Sequence, residues 1–158
     1  MKEFIEDFRQ AIEKSAAAMR HIPEDASAIP RTPGTWSRKQ IMGHLLDSAC
    51  NNHRRFVLAQ IQGDLVFPGY DQRMWVELQR YQDAPWSSLI EFWRAYNLHL
   101  AHVMAAIPVD LLRRPYTKHT LHQIASEPIP EKEPATLEYL IRDYVGHLKH
   151  HVDQILGA

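Results

Sequence analysis

Hydrophobic periodicity is the feature that most narrows the fold of this chain. Four stretches of about 20 residues place apolar side chains three or four positions apart, which is the spacing of one face of an α-helix. The stretches span about residues 2–20, 37–62, 85–107 and 135–156. Because helices with one apolar face bury it against each other, the pattern predicts an all-α protein folded as a four-helix bundle.

The ends of these helices carry recognisable signals, and the connections between them are long. Ser37 and Gln40 fit a capping box, Pro85 suits a first helical turn, and Gly157 is a plausible stop. We expect one short helix at about 72–80 and an irregular segment, rich in Pro and His, at 108–134. Connections of this length allow helix orders other than simple up-down-up-down.

Length and charge set the class of protein. A chain of 158 residues with 45% apolar residues fits a single domain, residues 1–158. A net charge of −1 without a Lys/Arg cluster predicts no nucleic-acid partner. No apolar stretch approaches the roughly 20 residues that span a bilayer, and the N-terminus does not resemble a secretion signal. With Cys50 as the single cysteine, we expect a cytoplasmic protein without membrane contact.

Two histidines fall on the inner face of the fourth helix. His147 and His151 lie one turn apart within or at the edge of the apolar face, whereas His150 falls on the opposite, charged side. The apolar face consists of Leu137, Leu140, Ile141, Tyr144, Leu148, Val152 and Ile155. Imidazoles at i and i+4 can share one metal ion, but they can also be core histidines satisfied by hydrogen bonds. This helix alone leaves both interpretations open.

The second helix supplies a third histidine. A polar row of His44, Ser48, Asn52 and Arg55 follows the edge of its apolar stripe, and inward polar residues are costly unless they are paired or line a wet cavity. The row therefore predicts a pocket wall. If the second and fourth helices run antiparallel, His44 lies level with the other pair. The sequence thus predicts a metal site of His44, His147 and His151 with an open position, as in catalytic sites.

Other candidates are weaker, and no catalytic residue is assigned. His99, on the flank of the third helix, is the best substitute ligand, and His119 and His122 in the long loop could cover the site. Asp47 either supports the site or lies on the surface. The sequence has no HExxH motif, no Gly-rich phosphate loop and no GxSxG elbow.

The chain resembles the DinB-like metal-binding four-helix bundles, and within them the branch of metal-dependent hydrolases and bacillithiol S-transferases. The likeness spans most of the chain, and its most specific part is the final His-x-x-His-His run joined to one histidine of the second helix. The residues that carry it are Trp36-Ser37, His44-Leu45-Leu46-Asp47-Ser48, Asn52, Arg55-Phe56, Pro68-Gly69-Tyr70-Asp71, Trp75, the run from Tyr144 to His151, and Ile155.

The resemblance implies that His44, His147 and His151 bind a divalent metal, Ni²⁺ or Zn²⁺, in a homodimer. It implies a metal-dependent enzyme that activates water or a low-molecular-weight thiol, that is, a hydrolase or a bacillithiol-type S-transferase acting on a small-molecule substrate. The alternatives are a non-catalytic metal- or small-molecule-binding module and a structural dimer with residual histidines.

The residues around this site allow two interpretations each. Asn52 and Arg55 could orient an anionic group, or Arg55 could pair with Asp71. Tyr70, Asp71 and Trp75 could form a lid or pocket wall, or Trp75 could be a core aromatic. Large apolar residues outside the predicted core could contribute to a dimer interface, namely Phe67, Trp86 and Trp93.

Overall fold

Four long helices dominate the computed structural model, which describes residues 1–157. The helices are α1 (Lys2–Met19), α2 (Glu24–Ala28), α3 (Arg38–Leu58), α4 (Gln72–Leu78), α5 (Trp86–Ala106), α6 (Val109–Arg113), α7 (Leu121–Ile124) and α8 (Leu137–Leu156), with a 3₁₀ turn at Tyr81–Asp83. The described residues contain no strand, only two isolated β-bridges. The prediction of an all-α four-helix bundle is confirmed.

The predicted boundaries differ from the observed ones mainly at turns. α3 ends at Leu58 rather than near Gln62, because the backbone N–H groups of Gln60 and Ile61 bond three residues back, to Val57 and Leu58, in tighter turns. Residues 108–134 are not wholly irregular, since they contain α6 and α7. The Ser37–Gln40 capping box is present with both of its reciprocal hydrogen bonds.

The long helices run in an up-down-down-up order. α3 and α8 are antiparallel, since Nε of Arg38 at the start of α3 donates to the carbonyl of Ile155 at the end of α8, at 2.9 Å. α3 and α5 are parallel, with Lys39 bonded to the carbonyl of Gln82 at their starts and His53 3.3 Å from Tyr96 farther along. α1 and α3 each pack against α5 and α8, and α1 is antiparallel to α5, since Arg20 at the end of α1 donates to Glu91 near the start of α5. The bundle therefore brings α3 beside α8, although α8 is last in the chain.

The parallel pair forces the connection at residues 59–85 to return along the outside of α3. Near the end of α3, Arg55 donates to the carbonyl of Pro68. Farther back, the Tyr81 hydroxyl and the Gln79 amide both donate to one carboxylate oxygen of Asp47, at 2.7 and 2.6 Å. Asp47 is only 2% exposed, so the expectation that it could be a surface residue is wrong. Its carboxylate holds the returning chain against α3.

The core follows the predicted helix faces except on α5. All seven apolar residues predicted for α8 are buried. Trp86 and Trp93 are also buried, as is Phe67, so their expected role at an interface is wrong. The reason is that α5 packs against both α1 and α3, which covers a wide sector of its surface, and Nε1 of Trp86 finds a buried acceptor in the carbonyl of Met19. By contrast, Phe92 on α5 is 57% exposed.

In residues 1–157, every helix is too short or too polar to cross a bilayer.

Candidate metal centre

Three imidazole rings converge between α3 and α8. Nε2 of His147 lies 3.1 Å from Nε2 of His44 and 3.1 Å from Nε2 of His151. Within residues 1–157, this is the only group of three or more His, Cys, Asp or Glu side chains whose ligand atoms all lie within 4.8 Å of one another. The structure thus brings together the three histidines that the sequence singled out.

The helices position the rings in a simple way. His147 and His151 are one turn apart on the inner face of α8, and the antiparallel α3 presents His44 at the same level. His44 is 1% exposed, and the Trp36 ring packs against it with centroids 5.4 Å apart. The other two rings are half-buried. The centre therefore has a closed side at His44 and a side on α8 that solvent reaches.

Burial keeps these rings neutral. Loss of solvation, and then the neighbouring imidazoles of His147 and His151, lower the pKa of His44 to about 3. Burial and the neighbouring His151 and His150 lower the pKa of His147 to about 4, and burial also lowers the pKa of His151. At neutral pH each ring has one nitrogen lone pair that can bind a metal ion.

Gln154 selects the tautomer of His151. Its side-chain oxygen lies 2.8 Å from Nδ1 of His151, and an amide oxygen can only accept, so Nδ1 carries the proton and Nε2 presents its lone pair to the cluster. Metal-binding histidines commonly have such an acceptor on the other ring nitrogen. Sequence reasoning did not identify Gln154, although its position three residues after His151 on the same helix was a usable signal.

Hydrogen bonds among the three rings do not satisfy all of their nitrogen atoms. Since Nε2 of His147 can donate at most one proton, it can make a conventional hydrogen bond to only one of its two neighbours. In addition, Nδ1 of His44 is buried without a protein partner. Two nitrogens that share one ion at about 2.0–2.1 Å lie roughly 3.0–3.4 Å apart, which matches both 3.1 Å separations. The residues present therefore fit a shared divalent ion.

The other histidines lie away from the cluster. His99 on α5 packs against His53, with ring centroids 5.1 Å apart, and is not a substitute ligand. His150 is exposed, as predicted. His119 does not cover the centre, because it is buried and both ring nitrogens have backbone partners, Glu133 and Leu121.

Three residues of the predicted polar row line a small cavity, of about 30 Å³, beside His147. Ser48, Asn52 and Arg55 are all buried along α3, and the cavity continues onto the two long connections and α8. Its remaining lining residues are Tyr70, Gln72, Ile124, Ser126, Asp143, Tyr144 and His147. The alternative of an Arg55–Asp71 ion pair is wrong, because Asp71 instead caps α4 by accepting from the backbone N–H of Met74. The interpretation as a pocket wall is confirmed for Ser48, Asn52 and Arg55, whereas His44 does not line this cavity.

The chain is similar to proteins of one family. A sequence model of the DinB superfamily matches residues 7–155. The chain is 25% identical over 154 residues to the Bacillus subtilis protein named "Putative metal-dependent hydrolase YfiT", covering 97% of this chain and 80% of that protein. Bacillus mycoides and Bacillus licheniformis have proteins of the same descriptive name that are 24% and 25% identical over 158 residues. These matches cover 98% of this chain and 84% and 82% of the relatives.

A solved structure is similar as well. The structure of Bacillus subtilis YfiT, described as a four-helix bundle of unusual topology, matches with a TM-score of 0.75. The match has 24% sequence identity and covers 98% of this chain and 85% of that one. At this identity the likeness concerns the fold.

Proposed function

The chain belongs to the DinB superfamily, and we propose that it is a divalent-metal-dependent enzyme, a hydrolase of small-molecule substrates, with His44, His147 and His151 as its metal ligands. The observation that carries the proposal is the meeting of three neutral imidazoles, with Nε2 of His147 3.1 Å from Nε2 of each of the other two, where protein hydrogen bonds cannot satisfy all three. The names of the Bacillus relatives support the hydrolase class.

The chain's own residues would prepare this centre. A divalent ion held there, Ni²⁺ or Zn²⁺, supplies a Lewis acid that lowers the pKa of water or of a thiol. Gln154 keeps the lone pair of His151 directed at the cluster, and Trp36 covers the buried side of His44. The substrate would lie in the groove of about 640 Å³ that Asp143, Gly146 and His147 line, next to the small cavity beside Arg55.

A thiol S-transferase, using bacillithiol or a related low-molecular-weight thiol, is the second candidate. It is favoured by the absence of a carboxylate from the ligand cluster among residues 1–157. Asp47, three residues from His44, is already bonded to Tyr81 and Gln79. A thiol, with an ordinary pKa of about 8.5, needs less help to lose its proton than water, at about 15.7. Asp143 lines the groove beside His147, but both of its oxygens already accept backbone N–H groups, so neither nearby carboxylate is free and the centre suits a thiol.

The proposal also covers the oligomeric state, the cellular location and the partners of the enzyme. We propose a homodimer in the cytoplasm that acts on small molecules and has no nucleic-acid or membrane partner. The net charge of −1 and the exposed thiol of Cys50, which would persist in a reducing compartment, support this setting. Light scattering of the purified protein checks the dimer.

Metal analysis tests the ligand set. We expect close to one divalent ion per wild-type chain and a loss of most of it in the double variant His44→Ala/His151→Ala. His99→Ala and His150→Ala are the matched controls, because each removes an imidazole outside the cluster. Unchanged metal content in the double variant would show that the ligand assignment is wrong.

Activity assays separate the two chemistries. Metal-loaded protein is assayed with a panel of esters and amides, and in parallel with cellular thiols and the electrophile monochlorobimane. Metal-dependent hydrolysis supports the hydrolase, and metal-dependent thiol conjugation supports the transferase. If metal is bound but neither reaction depends on it, the protein is a non-catalytic binding module.

A further inference from the structure

Arg55 has a buried charge without a partner carboxylate. It is 6% exposed, and no Asp or Glu oxygen within residues 1–157 lies within 4.0 Å of its guanidinium. Its two protein hydrogen bonds are long, at 3.3 Å each, to the side-chain oxygen of Asn52 and the carbonyl of Pro68. A guanidinium has five N–H donors, so three have no acceptor among the described residues. The opposite charge of Asp143 acts on Arg55 from the same cavity, but it lies beyond 4.0 Å and is held by backbone N–H groups. Because buried charges are normally in direct contact with a partner, the free donors of Arg55 require a reason.

The free side of Arg55 lines a cavity of about 30 Å³ that His147 also lines, which has room for little more than the two oxygens of a carboxylate. The rest of a ligand would lie in the adjoining groove of about 640 Å³ that Asp143, Gly146 and His147 line. Tyr70 lines the same cavity as Arg55, and its hydroxyl group has no hydrogen-bond partner among residues 1–157. Burial raises the pKa of Tyr70, so its hydroxyl stays protonated and can donate. A guanidinium and a hydroxyl with free donors in one cavity are the donor groups that an anionic ligand group requires.

The charges that line the cavity favour a ligand with a single negative charge. Asp143 is the one carboxylate among the lining residues, and both of its oxygens already accept backbone N–H groups, from Glu127 at 2.8 Å and Ser126 at 3.1 Å. Its negative charge nevertheless opposes a second or third negative charge nearby. A carboxylate is therefore a better occupant than a phosphate, and the planar fork of arginine matches it.

The distance along α3 between Arg55 and His44 shows how far a ligand bound at Arg55 is from the metal centre. Arg55 lies eleven residues after His44 on α3, which is about 16 Å along the helix axis at about 1.5 Å per residue. The bond to Asn52, three residues earlier, shows that the Arg55 side chain points back toward His44. A ligand with roughly 10 Å between its two ends would reach both places.

We propose that Arg55 and Tyr70 bind the carboxylate of a small acidic substrate, or of an acidic thiol co-substrate, whose reacting group lies at the three histidines. The placement of the reacting group rests on the proposed function, whereas the carboxylate site itself does not.

The first experiment needs no metal. The Arg55 Nε–H signal in the ¹H–¹⁵N spectrum of metal-free protein, assigned by its absence in Arg55→Met, is followed during titration with hexanoate and with hexanamide. We expect a saturable shift with hexanoate only. The absence of a saturable shift, or equal shifts with both compounds, would overturn the carboxylate site.

The second experiment links the site to the metal. Octanedioic acid monohydroxamate carries a metal-binding hydroxamate and a carboxylate about 10 Å apart, and its methyl ester lacks the charge. In metal-loaded wild type we expect the acid to bind about tenfold more tightly than the ester, as for a charge-assisted hydrogen bond. Arg55→Met should abolish that advantage, whereas Arg54→Met, the exposed neighbour, should keep it. Equal binding of acid and ester to wild type would overturn the link to the metal centre.

Failure of the proposed function can be told apart from failure of the carboxylate site. If the protein takes up no metal, the proposed function fails, while the hexanoate titration still decides the role of Arg55. Thermal unfolding provides a further test, because replacing an arginine that serves only the structure would lower the unfolding temperature. Because Arg55 has no ion pair, we expect Arg55→Met to unfold at the same or a higher temperature than wild type. A large decrease for Arg55→Met, together with a failed titration, would assign Arg55 a purely structural role.

Discussion

His119 and His44 are both buried imidazoles, but their nitrogens have different surroundings. In His119, Nε2 lies 2.7 Å from the carbonyl of Glu133, and Nδ1 accepts from the backbone N–H of Leu121. In His44, Nδ1 has no protein partner and Nε2 faces the imidazole of His147. A histidine that serves the fold alone has its polar atoms satisfied, as His119 does. His44 is left for a ligand to satisfy.

At the residue scale, the metal-free protein should lose stability in acid. The pKa values of His44 and His147 fall to about 3 and about 4 in the folded chain, against 6.5 for an ordinary histidine. Below pH 6.5 the unfolded chain therefore binds protons that the folded chain does not, so the free energy of unfolding decreases with falling pH toward 4. From these two residues we expect a loss of roughly 2–3 kcal/mol between pH 7 and 5.5 in urea unfolding.

A variant separates this effect from general acid sensitivity. In His44→Gln the loss between pH 7 and 5.5 should shrink to about half, because one of the two groups is gone. His150→Gln, which changes an exposed ring, should leave the loss unchanged. Equal pH dependence in all three proteins would contradict the assignment.

Gln154 gives a second prediction at this scale. Gln154→Leu removes the acceptor that holds the proton on Nδ1 of His151, so we expect about tenfold weaker metal binding, the usual effect of losing such a partner. Gln154→Glu keeps an acceptor oxygen and should retain wild-type affinity. Competition with a chromogenic chelator measures both. Gln154 also contacts His150, so a matching loss in His150→Ala would show that the effect does not run through His151.

At the scale of elements, Gly43 allows the returning connection to lie against α3. A Cβ built on Gly43 would lie 2.0–2.7 Å from three ring atoms of Tyr81, the residue whose hydroxyl bonds to Asp47. The absence of a side chain at this position lets the ring pack directly on the helix backbone. The helix, the ring and the buried carboxylate thus form one contact that holds residues 79–82 in place.

Substitution of Gly43 should therefore be costly despite its helical conformation. We expect Gly43→Ala to lower the free energy of unfolding by about 1–3 kcal/mol through overpacking. Gly146→Ala is the matched control in the middle of α8. No neighbouring atom lies within 4 Å of its added Cβ, so we expect a gain of about 0.4–1 kcal/mol.

A double-variant cycle identifies the cause. If the Tyr81 ring is the obstacle, Gly43→Ala should cost much less in a Tyr81→Ser background than in wild type. An undiminished cost in that background would mean that another contact is responsible. Urea unfolding monitored by circular dichroism measures the four proteins of the cycle.

At the scale of the whole molecule, the centre joins elements that are far apart in the chain. His44 and His147 are 103 residues apart in sequence, and two long connections bring their helices together. The unfolded chain cannot hold the three rings at one point, so an ion that binds them binds the folded state preferentially. Metal uptake and global stability should consequently be coupled.

We expect Ni²⁺ or Zn²⁺ at about 100 times its dissociation constant to add about 2.7 kcal/mol to the free energy of unfolding. A chelator should remove this gain. His44→Ala/His151→Ala should show no gain from metal, while His99→Ala should show the full one. A gain in the double variant equal to that of wild type would place the stabilising ion elsewhere.

Much of this architecture follows from the sequence because its determinants are local. Apolar spacing located the four long helices, and the Ser37 capping box and the prolines marked their ends. The same periodicity separated the inward pair His147 and His151 from His150, since position on a helix depends only on the 100° step between residues. The polar row on α3 likewise indicated a pocket wall, because inward polar side chains need partners or water.

Features that depend on distant contacts came only from the tertiary structure. Packing of α5 between α1 and α3 buried Trp86 and Trp93, which were expected to be available for a dimer interface. The returning connection buried Asp47, and the capping role of Asp71 left Arg55 without a carboxylate. In each case the outcome depends on which surfaces meet, and that is set by the relative orientation of helices many residues apart. Local spacing determines which face a helix presents, whereas the fold determines what lies opposite it.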